Sequence, residues 1–395
     1  MGTKMAIISR ELIKPSSPTP DEKKVHKLSM LDQFLTSYSY TPLFFYANNE
    51  QLPVDSNTNP LDNPSKTTLH LEESLSECLT RFYPLARKLN PDDEYQSIDC
   101  DDCGVLFVEA KVDEVTLSEA VQRVPLDCFG QYLPFQTCSK ECDKASLGTI
   151  DGYLNKKEML FGVKITWFQY GGHVIGVCIS HRVADFASLV TFMNSWAATH
   201  RGAGGSEPLL DFDEKITELK ELAVTSSIAQ VRDPTRVEVA GVFLWKQFIK
   251  LERAKNHQAS ATARTWIGVN LRSRISCLAS LASSDGEFPF GNLVAPITGS
   301  FPSIENLEET DLFGNLVQFT SWCRFLIYEV DIGWGKPVSV GPAGTLYMDA
   351  VILTTTRDEK GVEAWIGISK DDLALVSDEL LSLGATNFFQ ILHIE

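Results

Sequence analysis

Apolar residues recur at the spacing of an amphipathic helix in one long segment of the first hundred residues. The segment spans residues 69–82 and comes shortly before Pro84, which cannot continue a helix. Its apolar positions lie three or four residues apart and would share one face: Leu71, Leu75, Cys78, Leu79 and Phe82. The pattern predicts a helix over residues 69–82, preceded by a polar surface loop over 50–66.

A strand–turn–strand–helix pattern occupies residues 160–199. Residues 160–170 and 173–180 are two runs rich in β-branched and aromatic residues, separated by Gly171 and Gly172. Glycine tolerates the positive φ of a two-residue turn, so the pattern predicts a β-hairpin. Asp185 suits the N-cap of a helix over 186–199. The apolar positions of that helix are Phe186, Leu189, Val190, Met193 and Trp196.

The chain is longer than one hydrophobic core usually organises, and a glycine-rich linker lies near its middle. The 395 residues predict two domains, and residues 201–210 (R-G-A-G-G-S-E-P-L-L) predict boundaries of 1–205 and 206–395. The second half is predicted to hold a strand running into a helix at 212–216, helices over 237–250 and 371–383, and strands over 263–271, 322–330, 345–353 and 361–368. The mixture predicts an α/β fold without regular βαβ alternation.

The charge and the spacing of the cysteines argue against several classes of protein. A net charge of −17 disfavours nucleic acids and anionic membranes as partners. Neither a signal peptide nor an apolar run long enough to span a membrane is found, so a cytoplasmic location is expected. The nine cysteines lack regular spacing, which predicts reduced thiols. A zinc site formed by Cys100, Cys103, Cys138 and Cys142 is disfavoured by the spacing of the two pairs, so no metal is expected.

The segment from His181 to Asp185 is the candidate catalytic site. His181 follows a predicted core strand, where rigid elements would hold an imidazole whose near-neutral pKa suits a general base. The H-x-x-x-D pattern is short, however, and two other interpretations stay open. His181 could be a hydrogen-bonded residue at a strand end, and Asp185 could serve only as the helix N-cap.

A second motif, D-I-G-W-G-K-P, occupies residues 331–337. Its two glycines flank a tryptophan after a predicted strand, which predicts a tight, closely packed turn. The residues concerned are Asp331, Gly333, Trp334 and Gly335. We interpret this turn as structural.

Together the two motifs resemble the H-x-x-x-D and D-F-G-W-G signatures of the BAHD acyltransferases. Further matching motifs are L-I-K-P at 12–15, L-S-M-L-D at 28–32, F-Y-P-L-A at 82–86, V-N-L-R at 269–272, F-G-N at 290–292, T-S-W at 320–322 and V-E-A-W at 362–365. They occur in the family's order over nearly the whole chain. Within the family, the chain is most similar to the alkaloid O-acetyltransferases.

The resemblance implies two chloramphenicol-acetyltransferase-like α/β domains with mixed sheets and a channel between them. The implied reaction moves an acyl group, with acetyl favoured, from acyl-CoA to a hydroxyl of a plant specialised metabolite such as an alkaloid; an amine acceptor is the close variant. His181 would be the general base, and Asp185 would pair with Arg272. Thr320 and Trp322 would stabilise the tetrahedral intermediate, with simple core packing as the alternative for Trp322. Asn292 would shape the CoA side. The implied enzyme is a monomer without a metal.

The chain also departs from the family pattern. Ile332 replaces a phenylalanine, and Arg87 occupies a glycine position, where a positive φ would strain it. The segments over 201–210 and 293–319 are short, although they normally help to frame the channel. The alternative function is therefore a non-catalytic relative that has lost CoA binding.

Overall fold

The computed structural model describes thirteen parts of the chain. They are residues 5–28, 39–47, 64–89, 97–113, 115–123, 126–135, 160–169, 171–202, 244, 264–267, 316–343, 350–369 and 389–394. The helices predicted over 237–250 and 371–383 and the element at 212–216 lie outside these residues, apart from the buried, helical Leu244.

Three α-helices occur in the described residues: α1 (Pro64–Arg81), α2 (Leu117–Arg123) and α3 (Phe186–His200). Strands of the first half are β1 (Met5–Ile13), β2 (Val25–Lys27), β3 (Ser39–Tyr40), β4 (Pro42–Tyr46), β5 (Lys88–Leu89), β6 (Ser97–Asp99), β7 (Val105–Val112), β8 (Phe161–Phe168) and β9 (His173–Ser180). Strands of the second half are β10 (Arg264–Ile267), β11 (Leu316–Ser321), β12 (Ser339–Pro342), β13 (Ala350–Thr355), β14 (Val362–Ser369) and β15 (Phe389–Ile394).

The N-terminal sheet has seven strands in the order β1-β7-β8-β9-β4-β12, with β3 also paired to β9. It is mixed, because β7 and β8 run parallel while the other pairs are antiparallel. Every residue of β8 and β9 is buried, so these two strands form the centre of the sheet. The hairpin predicted for them is confirmed: its turn holds Gly171 at φ +90° and Gly172 at φ +81°.

Helices α1 and α3 cover one face of this sheet. The apolar residues predicted for the helix over 69–82 enter the main core, and Leu71, Leu75, Cys78 and Leu79 are completely buried. Helix α1 begins earlier than predicted, at Pro64, because proline fits the first turn, where no helical partner for its N–H is needed. The opposite face packs on α2 and a 3₁₀ segment, Leu126–Tyr132.

A strand from the second half of the chain completes the N-terminal sheet. Strand β12 pairs antiparallel with β4, from Ser339 opposite Phe45 to Pro342 opposite Pro42. At least one strand of the predicted second domain therefore belongs to the sheet of the first. Only residues 201 and 202 of the predicted linker are described, so the boundary near residue 205 stays a prediction.

The C-terminal sheet has the order β10-β11-β13-β14-β15 and is also mixed. The strands predicted over 263–271, 345–353 and 361–368 correspond to β10, β13 and β14. The strand predicted over 322–330 is wrong. Strand β11 ends at Ser321, and the chain then turns through Arg324 at φ +68° into a 3₁₀ turn, Ile327–Glu329. Leu326 of this segment is 46% exposed, but four of its apolar residues are buried in the main core without belonging to a ladder: Trp322, Ile327, Tyr328 and Val330.

A small sheet, β2-β6-β5, lies next to an ion pair between a buried arginine and a partly exposed aspartate, which fastens the N-terminal segment. The Arg87 side chain is fully buried and its Nη2 lies 2.6 Å from the Asp102 carboxylate. Asp102 accepts hydrogen bonds from the N–H and hydroxyl of Thr19, each at 3.0 Å, and Arg87 also donates to that hydroxyl. Arg87 has no positive φ, so the strain considered for this position is absent.

Candidate active site

His181 is the first residue after the buried central strand β9. The carbonyl of Ser180 accepts hydrogen bonds from the N–H groups of Val183 (3.1 Å) and Ala184 (3.3 Å), which closes a turn around the histidine. The Ser180 hydroxyl also accepts from the N–H of Arg182 at 3.4 Å. His181 itself is half-buried. We call residues 181–185 the catalytic turn, after the role that is proposed for His181 below. It places the imidazole at the C-terminal end of a central strand.

Asp185 ends the catalytic turn and caps α3. Its backbone is extended, and its Oδ1 accepts a hydrogen bond from the N–H of Ser188 at 2.7 Å. This bond satisfies one of the N–H groups that the first helical turn leaves without an internal partner. Asp185 is thus the N-cap of α3, as the sequence predicts. Its predicted pairing with Arg272 stays a prediction, because Arg272 lies outside the described residues, as does Asn292.

Thr320 and Trp322 lie at the end of β11. The backbone N–H of Trp322 donates to the carbonyl of Leu353 at 2.7 Å, which continues the β11–β13 pairing one residue beyond the strand. Residues two apart on an extended chain project to the same side, so Thr320 and Trp322 share a face. Thr320 is half-buried and the Trp322 side chain is 2% exposed.

The catalytic turn and the T-S-W segment are joined by two aromatic rings. The rings of Phe186 and Trp322 are stacked, with centroids 3.9 Å apart and planes 9° apart. Phe186 directly follows Asp185, so the stack places Trp322 against the start of α3. The sequence pattern identified Phe186 only as an apolar helix position, and helical spacing carries no signal for its partner.

The loop at residues 331–335 forms the predicted tight turn. Oδ1 of Asp331 accepts hydrogen bonds from the N–H groups of Gly333 (2.8 Å) and Gly335 (3.0 Å), and both glycines have φ +89°. Arg201, just after α3, donates to the Asp331 carbonyl. Ile332 is completely buried, so the replacement of phenylalanine keeps an apolar side chain in the core.

Trp334 packs against His173 at the opposite end of β9 from His181. The two ring centroids lie 4.5 Å apart at an interplanar angle of 85°. The two histidines are eight positions apart along an extended chain, which corresponds to about 26 Å. The 331–335 loop therefore contacts the N-terminal sheet far from the catalytic turn.

His173 was not identified from the sequence, although its imidazole is buried within an aromatic cluster. Its ring stacks on Tyr46 with centroids 4.8 Å apart and also contacts Trp167. Burial lowers the pKa of His173 to about 3, so the imidazole is neutral in the folded protein. Burial likewise lowers the pKa of His200, at the end of α3, to about 4.

The parts of the chain that the structure describes contain neither a candidate metal site nor a candidate membrane-spanning helix. No group of three or more His, Cys, Asp or Glu side chains converges there. Cys100 and Cys103 are not disulfide-bonded, and Cys138 and Cys142 lie outside the described residues. None of the described helices is long and apolar enough to cross a membrane.

Two large mixed sheets, the catalytic turn at one end of β9 and the 331–335 loop at its other end are the features expected of an acyltransferase of the H-x-x-x-D class. The model of the Transferase family matches residues 3–215 and 290–382. Stemmadenine O-acetyltransferase of Catharanthus roseus and vinorine synthase of Rauvolfia serpentina are each 36% identical over 445 aligned positions, which cover 98% of this chain and 100% of each relative. The chain belongs to this family, the BAHD acyltransferases.

Structural comparison agrees with the sequence comparison. The crystal structure of vinorine synthase matches with a TM-score of 0.69 and 32% identity, covering 96% of this chain and 98% of that one. The structure of F. sporotrichioides TRI101 with coenzyme A and T-2 shares the fold, with a TM-score of 0.59 at 14% identity over 91% of this chain and 98% of that one. The predicted fold class and the predicted CoA-dependent acyltransferase class are both confirmed.

The relatives are matched along their full length, which does not favour the alternative of a relative without activity. The alignments run over 445 positions while this chain has 395 residues, so the relatives contain residues that this chain lacks. This difference is consistent with the short segments noted in the sequence.

Proposed function

We propose that this protein transfers an acetyl group from acetyl-CoA to a hydroxyl of a plant alkaloid or related metabolite, with His181 as general base. The observation that carries the proposal is the half-buried His181 in a turn closed by hydrogen bonds at the end of the fully buried strand β9. The similarity to stemmadenine O-acetyltransferase and vinorine synthase supports both the acetyl group and the alkaloid acceptor.

The proposed reaction is a direct transfer. The His181 imidazole takes the proton of the acceptor hydroxyl as that oxygen attacks the thioester carbonyl, which forms a tetrahedral intermediate. The intermediate collapses with loss of the CoA thiolate, and the imidazolium returns its proton to that sulfur. Atoms and charge balance without an acyl-enzyme or a metal ion.

The other site residues support this step. The Thr320 hydroxyl and the Trp322 indole N–H are the proposed donors to the oxyanion, because hydrogen-bond donors held in place stabilise charge that develops in a transition state. Asp185 holds the catalytic turn through the α3 cap and through its predicted pairing with Arg272. We assign Asn292 to the CoA side. Asp331, Gly333, Trp334 and Gly335 have an architectural role.

The cellular setting is proposed from the same similarity and from the composition. We propose a cytoplasmic monomer with acyl-CoA and a small alcohol as its partners. The acidic balance of the chain, with a net charge of −17, supports the absence of nucleic-acid and membrane partners.

The test measures thiol release from acetyl-CoA with a panel of alkaloid alcohols. The wild-type protein should release CoA in the presence of at least one acceptor, and His181→Ala should lower the rate about 100-fold or more. The matched control is His26→Ala, because His26 is an exposed histidine on β2, and this variant should retain the wild-type rate. Full activity in His181→Ala would overturn the assignment of the base.

A further inference from the structure

We propose that Phe186 is a positioning residue for acyl transfer: it holds the Trp322 indole in one orientation beside the catalytic turn. The proposal deepens the function proposed above and rests on it for its catalytic consequence. Its structural content, the fixed indole orientation, depends only on the described contacts.

The contact between the two rings is close and extensive. Their centroids are 3.9 Å apart and their planes are nearly parallel, so the faces of both rings are in contact. Both side chains are buried, with 3% of Phe186 and 2% of Trp322 exposed. Phe325 also contacts Phe186, and the centroids of these two rings lie 5.7 Å apart. In such a packed site the indole cannot tilt or rotate without displacing Phe186.

Both ends of the stack are fixed to rigid elements. Phe186 is the first residue of α3, and the Asp185 cap and the bonds to the Ser180 carbonyl hold its backbone relative to His181. On the other side, the backbone of Trp322 is bonded to Leu353 of β13. The stack is thus a direct contact between the segment that carries the proposed base and the segment that carries the proposed oxyanion donors.

Simple core packing and positioning lead to different kinetics. If the stack only filled the core, its loss would lower stability and leave the turnover of folded molecules unchanged. If the stack orients the indole, its loss lowers kcat more than it changes KM, because the donor acts on the transition state. A displacement of about 1 Å in an active site costs up to about 100-fold in rate.

The key variant is Phe186→Leu, which keeps an apolar side chain but removes the flat ring. We expect kcat to fall by about 10- to 100-fold with KM for acetyl-CoA changed less than about 3-fold. Phe186→Tyr retains the ring and should recover most of kcat. In the background of Trp322→Phe, which has no indole N–H, Phe186→Leu should cause little further loss.

The matched control is Phe192→Leu on the same helix. Phe192 is 1% exposed and packs edge-on against Phe82 and Phe161, away from Trp322. This variant should lower the melting temperature about as much as Phe186→Leu and leave kcat unchanged. Equal kcat in the two leucine variants, or additive losses for Phe186→Leu and Trp322→Phe, would overturn the catalytic role.

A second measurement does not depend on turnover. The protein is labelled with 5-fluorotryptophan, and the Trp322 resonance is assigned by its disappearance in Trp322→Phe. We expect this resonance to shift or broaden in Phe186→Leu and to be unaltered in Phe192→Leu; an unaltered resonance in both would overturn the proposal. A wild-type protein without turnover would refute the proposed function, while the fluorine spectrum still decides whether Phe186 orients the indole.

Discussion

The buried His173 makes the stability of the fold depend on pH in a way that one substitution can remove. The imidazole lies between Tyr46, Trp167 and Trp334, and its Nε2 has no hydrogen-bond partner among the described residues. Burial lowers the pKa of His173 from its ordinary value of 6.5 to about 3. The unfolded chain therefore binds a proton at this position at a higher pH than the folded chain does.

The magnitude follows from the two pKa values. The stabilisation is fully present above the unfolded pKa, declines as the pH falls below 6.5, and is lost completely at about pH 3. Between pH 7.5 and 5.5 the proton bound by the unfolded chain lowers the free energy of unfolding by about 1.4 kcal/mol. The lower pH stays above the isoelectric point of 4.9, where the protein is least soluble.

The assay compares urea unfolding of the wild type and His173→Phe at pH 7.5, 6.5 and 5.5, followed by circular dichroism. Phenylalanine keeps an aromatic ring against Tyr46 and Trp334 and cannot be protonated. The variant should lose about 1.4 kcal/mol less than the wild type over this pH range. His200, whose pKa is lowered to about 4, still titrates in both proteins, so some loss persists in the variant. His26→Phe on exposed β2 serves as the control. It should show the same change in the free energy of unfolding between pH 7.5 and 5.5 as the wild type.

An equal decrease in the free energy of unfolding of His173→Phe and the wild type between pH 7.5 and 5.5 would refute this effect of His173. Such a result would mean that the imidazole is solvated or paired when it is protonated. The contacts of His173 with Tyr46 and Trp334 would then not represent its surroundings in solution.

Two further predictions concern single polar contacts. Asp185→Ala removes the bond to the N–H of Ser188 and should cost about 1 kcal/mol in urea unfolding, while Asp185→Asn, which retains an acceptor, should cost clearly less; equal losses would contradict the capping role. Asp102→Asn leaves the buried Arg87 charge without its carboxylate and should cost about 3 kcal/mol. Asp113→Asn, at an exposed pair, should cost less than about 1 kcal/mol, and similar losses in the two variants would refute the argument from burial.

The parts of the fold that depend on sequence neighbours were predictable. Gly171 and Gly172 produce the hairpin turn through their own backbone freedom, and Asp185 caps α3 through a residue three positions away. The resemblance to the family supplied what local patterns lack, namely the expectation that His181 and the T-S-W segment belong to one site.

The parts that depend on distant residues were not predictable from local patterns. The pairing of β12 with β4, the stack of Phe186 on Trp322 and the burial of His173 under Trp334 each join segments far apart in the chain. The strand predicted over 322–330 was wrong for a related reason. Several of its apolar residues are buried in the core although the segment is irregular and turns at Arg324, and burial alone does not distinguish such a segment from a strand.

The role of His181 in acetyl transfer is tested most directly by comparing the wild type with His181→Ala in two measurements, product formation and acetyl-CoA binding. Wild-type protein, acetyl-CoA and an alkaloid alcohol are mixed, and mass spectrometry detects the acetylated alcohol, while calorimetry measures acetyl-CoA binding to each protein. We expect the wild type to form a product carrying one added acetyl group, and His181→Ala to form it at least about 100-fold more slowly although acetyl-CoA still binds. Product formation by His181→Ala at the wild-type rate would contradict the role of His181, and a wild type that neither binds acetyl-CoA nor forms product would contradict the proposed activity.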